Sequence, residues 1–282
     1  MSGSEGDLNT WLLVASSWLW TPLSQGQALV CSITALEQCI AQVPKHVAHK
    51  VPNTLSQAQQ ALGGRGALVY PFDDASIEGL VLLSESAIPT QVSAYWNEQT
   101  YSLPLKQQYE LTLWHELGHI EIGKLQPQQA PWSAYQHEWL ADVYLVWRLA
   151  LERRDEALAW QQYHRRNLAL MTDVAAMSHW SSPILWQLFQ RYTWSELGEF
   201  SDFQSLFNDF YPHCHQYSKD ELAEYASLVG RTFGRGRTFS LPNYMFWRRP
   251  ALGQYLQPTL STMMGERVAN DWLLEHQMYT SE

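Results

Sequence analysis

Positive charge is scarce in this sequence. Lys and Arg number 18 against 28 Asp and Glu, a formal net charge of −10 at pH 7. A general nucleic-acid binder rests its affinity on cations at phosphates, so no nucleic-acid partner is expected. Cysteine is also scarce. Cys31, Cys39 and Cys214 are too few and too scattered for a disulfide framework, which points to a reducing compartment. No apolar run is long enough to span a bilayer, so no membrane partner is expected. The run "WLLVASSWLW" (11–20) has the length of a signal-peptide core, but "MSGSEGDLNT" before it carries acids and no Lys or Arg. It reads as a buried N-terminal helix of a cytoplasmic protein.

What is abundant is apolar and aromatic. Hydrophobic residues make up 46% of the 282 and charged residues 16%, the balance of a packed chain with one large domain or two small ones. Fourteen Trp and fourteen Tyr suit broad helix-packing faces or an aromatic-lined cleft, plain core being the simpler reading for most.

Three segments follow from the patterning. Residues 1–65 read as a helical N-terminal segment, with "LNTWLLVASSWLW", "ALVCSITALEQCIAQV" and "NTLSQAQQAL" as apolar helices, the last stopped by "GGRG". Residues 66–150 open with short β-rich runs, "GALVY", "IEGLVLL" and "VSAYWNEQTYSL", expected to form a small antiparallel sheet. The segment then turns helical, with a break at "KLQPQQAPW" and a capping-box signal, Ser133 with Gln136, after it. Residues 151–282 read as a helical C-terminal region packed on this core. The expected class is α+β, predominantly helical.

The chemistry concentrates in "LTLWHELGHIEIG" (111–123). On a helix His115 and His119, four apart, project from one face and can share a tetrahedral zinc ion. Glu116 lies beside such a metal and can act as general base on a metal-activated water. The pentapeptide arises by chance too often to stand alone, and a third ligand is needed. An extension with glycine at 122 and histidine at 125 is absent, those positions being Ile122 and Leu125, which excludes the metzincin solution. The other solution is a glutamate on the following helix. Glu138 sits early in the helix opening at Ser133, and Asp142 one turn on can orient a zinc-bound histidine through its other ring N–H. Ala141 on that face lets the two helices approach closely. His137 as third ligand, and Asp142 as a ligand in its own right, stay open as lesser alternatives.

"HELGH" followed by "EWLAD" resembles the gluzincin peptidases and, within them, is similar to the ImmA/IrrE-type metallopeptidases. The resemblance covers about residues 66 to 150. It implies a zincin-like core, zinc held by His115, His119 and Glu138, Glu116 as base and Asp142 as supporting partner. It also implies that the strand in "VSAYWNEQTYSL" is the edge strand that takes extended peptide by adding it to the sheet. The DNA-binding helix-turn-helix often found in that family is not evident, and the helical C-terminal half lies outside the resemblance.

The expected activity is thus zinc-dependent hydrolysis of a protein or peptide substrate, endopeptidase rather than aminopeptidase because no group to anchor a substrate N-terminus is evident. The alternative is an inactive zincin-like protein that binds a partner. Tyr135, Tyr144, His164 and His179 are candidates for a proton donor or oxyanion stabiliser by residue type alone. "PHCHQY" (212–217) reads as a surface loop rather than a second metal cluster, since His213 and His215 lack partners of known spacing. Arg231, Arg235, Arg237, Arg248, Arg249 and Arg267 give the tail a mildly basic balance, best explained by ion pairs with the acidic body.

Overall fold

The computed structural model describes residues 18–74, 76–125, 131–234 and 246–279. A four-stranded sheet in the order β1-β2-β4-β3 forms one layer, from β1 (Trp18–Pro22), β2 (Gln27–Ser32), β3 (Ala67–Pro71) and β4 (Gly79–Leu83). β1 and β2 form an antiparallel hairpin, β4 runs parallel to β2, and β3 runs antiparallel to β4 as an edge strand. The sheet is therefore mixed, not purely antiparallel as its run lengths suggested.

Two expectations for residues 1–65 fail here. The supposed N-terminal helix begins in residues outside the described part, and its described end, Trp18–Trp20, belongs to strand β1. The supposed second helix is strand β2 followed by a short helix, α1 (Leu36–Ile40). The reason is burial on both faces. Ala28 to Cys31 are all fully buried between β1 and β4, so the strand reads as an unbroken apolar run with no alternation to mark it. Helix α2 (Leu55–Leu62) forms where expected, opened by the Thr54 side chain accepting from the Gln57 N–H.

The cysteine reading also changes. Cys31 on β2 and Cys39 on α1 are joined in a disulfide, their Cα atoms 5.7 Å apart. The strand-to-helix turn brings together two residues that spacing alone does not pair, which withdraws the argument for a reducing compartment. Cys214 is buried and free.

The sheet is covered on both faces. Leu29, Cys31, Leu80 and Leu82 face α1 and α2. Ala28, Val30, Val81 and Leu83 face α3 (Gln108–Ile122) and α4 (Ala134–Leu151). Gly79 permits the close seat of α3, since a Cβ there would lie 2.7 Å from Ile120 Cδ1. Helix α4 opens with the expected capping box, Ser133 and Gln136 each bonded to the other's backbone N–H.

β5 (Gln91–Trp96) and β6 (Gln99–Pro104) form a separate two-stranded hairpin. Its turn residues Asn97 and Glu98 both have positive φ, 49° and 58°, the signature of a primed hairpin turn. Ala94, Trp96 and Tyr101 of this hairpin pack with the C-terminal helices rather than with the main sheet.

The C-terminal half is helical: α5 (Glu156–Thr172), a 3-10 turn at Val174–His179, α6 (Ser182–Arg191), α7 (Trp194–Leu197), α8 (Phe203–Phe210), α9 (Lys219–Phe233), α10 (Arg248–Met264) and α11 (Glu266–Glu275). Gly265, at φ 85°, separates the last two. No described helix is long and apolar enough to cross a membrane.

Candidate metal centre

Helix α3 presents His115 and His119 one turn apart, their rings 4.8 Å centre to centre and steeply inclined at 82°. Helix α4 crosses beside it at a small-residue contact. A Cβ at Gly118 would lie 3.0 Å from Ala141 Cα, so Gly118 lets the ligand-bearing faces meet, opposite the Ala141 that the sequence pointed to. Glu138 thereby reaches both histidines, with Oε2 3.3 Å from His115 Nε2 and Oε1 3.8 Å from His119 Nε2.

Among the described residues, His115, His119 and Glu138 are the group that can hold a metal ion, their ligand atoms all within 4.8 Å of one another. A tetrahedral zinc ion with bonds of about 2.1 Å sets its ligands roughly 3.4 Å apart, close to the His115–Glu138 spacing. Glu138 Oε2 is buried and has no donor aligned on it, an orphan that a cation would satisfy. Two imidazoles and a carboxylate on the wall of a cleft are a donor set that suits zinc.

Asp142 sits directly behind His115. It accepts from His115 Nδ1 at 2.8 Å, which assigns the ring proton to Nδ1 and leaves the Nε2 lone pair for a metal. Arg166 donates to Asp142 from Nε and Nη2, Gln162 donates at 2.7 Å, and the Ser181 hydroxyl completes the cage. Asp142 is fully buried, and Arg166 followed by His115 outweighs that burial and holds its carboxyl well below the usual range. As a ligand in its own right it is not brought in, because its oxygens are spent on these donors.

The electrostatics divide the two histidines. Burial pulls the His115 pKa down, but the charge and hydrogen bond of Asp142, with Glu138, push it up to about 9 in the metal-free protein. Burial and the neighbouring His115 bring His119 down to about 3, so it is a neutral imidazole with a lone pair to give. Burial opposes ionisation of Glu138, yet His115, Arg166 and His179 hold its pKa at about 2. Glu116 makes no hydrogen bond among the described residues, and burial raises its pKa, the setting of a proton acceptor and donor.

These groups line one side of a cleft of about 480 Å³, and β3 lines the other through Ala67, Leu68 and Val69. Gly66 O accepts from Ser84 N and Phe72 N donates to Glu78 O, so the alternate residues Ala67 and Val69 turn their N–H and C=O away from β4. The edge strand at the cleft is thus β3. The β5 strand, expected in that place, pairs only with β6 and packs on α5 and the C-terminal helices, so that expectation is corrected.

His137 stands aside, its ring 6.1 Å from His119 and outside the ligand group. Of the suggested donors, His179 alone reaches the cleft, with Nε2 3.4 Å from Glu138 Oε1. Tyr135 donates to Trp180 O, Tyr144 is buried in the core, and His164 is buried against Thr259. Arg65, Arg165, Arg166, Gln162 and Ser181 were not singled out from the sequence. "HRRN" on an amphipathic helix looks like a solvated face, and no spacing rule connects it to a histidine 51 residues away.

Among the described residues His213 and His215 belong to no metal-ligating group: His213 Nδ1 bonds Asp209 O at 2.9 Å and His215 Nε2 meets Glu221 at 3.2 Å. Arg248 pairs with Glu224 at 2.7 Å and Glu221 at 3.4 Å and Arg249 donates to Gln277, while Arg235 and Arg237 of the glycine-rich loop lie outside the described residues. No family model, curated protein or solved structure matches the chain.

Proposed function

We propose that this chain is a zinc-dependent peptidase. The observation that carries the reading is the convergence of His115, His119 and Glu138 on one point of a cleft that Glu116 also lines, with Asp142 fixing His115 from behind. The resemblance of "HELGH" and "EWLAD" to the gluzincin and ImmA/IrrE-type peptidases adds to it and rests on those two helices.

Bound zinc supplies Lewis acidity to the scissile carbonyl and to water. The chain's own groups do the rest. Asp142, held by Arg166, Gln162 and Ser181, keeps the His115 ring in one orientation. Glu116, its pKa raised by burial, takes the proton from water and returns it to the leaving amine. His179, a neutral imidazole whose pKa burial lowers, donates to the carbonyl oxygen as negative charge develops there. An extended peptide lies against β3, bonding the outward N–H and C=O groups of Ala67 and Val69. Binding along a strand edge favours an endopeptidase, because it needs no chain terminus.

The test is hydrolysis of a mixed peptide library by the zinc-loaded chain and by Glu116→Gln. Cleavage by wild type that disappears in Glu116→Gln, with zinc content equal in the two, supports the reading. Cleavage that survives in Glu116→Gln defeats the mechanism, and a zinc-loaded chain that cleaves nothing favours the inactive partner-binding alternative.

A further inference from the structure

Three arginines line the cleft, and two are already engaged. Arg166 is committed to Asp142 through two nitrogens. Arg65 donates to the carbonyls of Leu62 and Ala61 and closes the C-terminal end of α2. Arg165 differs from both. Among the described residues it makes one hydrogen bond, from Nε to Gln162 Oε1 at 3.0 Å, and no ion pair, so its two Nη groups have no acceptor.

Its place is nevertheless fixed. Gln162, which accepts from Arg165, donates through Nε2 to Asp142 Oδ1, and Asp142 in turn holds His115. A relay of three hydrogen bonds therefore ties this guanidinium to a candidate zinc ligand. Burial and the adjacent Arg166 lower its pKa to about 10, which leaves it cationic at neutral pH. Its Nη groups are not among the buried unsatisfied atoms and it lines the cleft, so they are open to a ligand, and the planar fork fits a carboxylate. Neither Glu116 nor Glu138 is within ion-pair distance of it.

We propose that Arg165 anchors a carboxylate of the substrate, so that the site selects peptides with an acidic group next to the bond to be cut. The proposal rests on the peptidase reading and names the substrate class for it. The carboxylate is either an acidic side chain or a free chain terminus, and the two share the same recognition chemistry.

The experiment is a binding titration of the metal-free full chain with three fluorescent peptides of one sequence. One carries an internal Glu and an amidated C-terminus, the second Gln and an amide, the third Gln and a free carboxylate. The result expected is that an acidic peptide binds at least about tenfold tighter than the neutral one. That gap should close to within about twofold in Arg165→Gln and persist in part in Arg165→Lys, with both variants matching wild type in near-ultraviolet circular dichroism. A tighter Glu peptide identifies a side chain, and a tighter free acid identifies a terminus. Equal or undetectable binding of all three, or a gap that survives Arg165→Gln, overturns the proposal. Zinc content and hydrolysis are read separately: a chain with the Arg165-dependent gap but no zinc and no cleavage keeps the carboxylate anchor and removes the peptidase reading.

Discussion

Arg166 grips Asp142 through two nitrogens, Nε to Oδ2 at 2.7 Å and Nη2 to Oδ1 at 2.9 Å, immediately behind His115. Both side chains are buried, so each is the other's main compensation for lost water. Asp142→Ala leaves the guanidinium unpaired in the interior and should cost about 3 kcal/mol or more, read by urea denaturation of the metal-free chain. Asp142→Asn keeps the shape but weakens the grip on His115. It should lower zinc affinity roughly 10- to 100-fold in a chelator competition. Unchanged affinity would mean that the Asp142–His115 bond does not tune the site.

His179 is the donor that the peptidase reading assigns to the developing oxyanion. Its removal as His179→Ala should cut kcat by about 10²-fold with zinc content retained, the scale of losing one such donor. A variant that raises KM alone would show that His179 binds the ground state instead.

Gly118 sets the approach of α3 to α4. Gly118→Ala places a methyl 3.0 Å from Ala141 Cα, where backbone rather than a flexible side chain must give way. The expected loss is about 1–3 kcal/mol, with weaker zinc binding because Glu138 is carried away from the histidines. A thermal-melt comparison decides it, and an unchanged melting temperature would show that the helices separate without cost.

His164 is buried against Thr259, and burial brings its pKa from 6.5 to about 4. The unfolded chain therefore takes up a proton that the folded chain refuses. Stability from this group is fully present above pH 6.5 and drains away as pH falls towards 4, at up to about 1.4 kcal/mol per pH unit. In the metal-free protein His119 pulls the same way in this window, while His115, raised to about 9, acts only between pH 6.5 and 9, so the informative quantity is the difference from a variant. His164→Asn should lose stability less steeply than wild type between those pH values. Parallel curves would contradict the assignment.

How much of this was legible in the sequence depended on range. His115 and His119 share one helix face by local geometry with Glu116 beside it, and the Ser133 cap fixed where the next helix begins, hence which face carries Glu138 and Asp142. Arg166, Gln162 and Ser181 reach Asp142 from 24, 20 and 39 residues away, and only packing brings them there. Strand β2 was hidden because a strand buried on both faces has no period-two signature, and the half-buried β1 because its residues close an apolar run of helix length. The β5–β6 hairpin was legible as strands, but its docking on α5 was not, so the edge strand at the cleft was assigned to the wrong segment.

The measurement that bears most directly on the central claim is zinc content per chain by elemental analysis, wild type beside Glu138→Ala. A site built from His115, His119 and Glu138 should give about one zinc per wild-type chain and a sharp loss in the variant, whose two remaining histidines cannot close a three-ligand site. No zinc in wild type after reconstitution, or equal zinc in both, would contradict it.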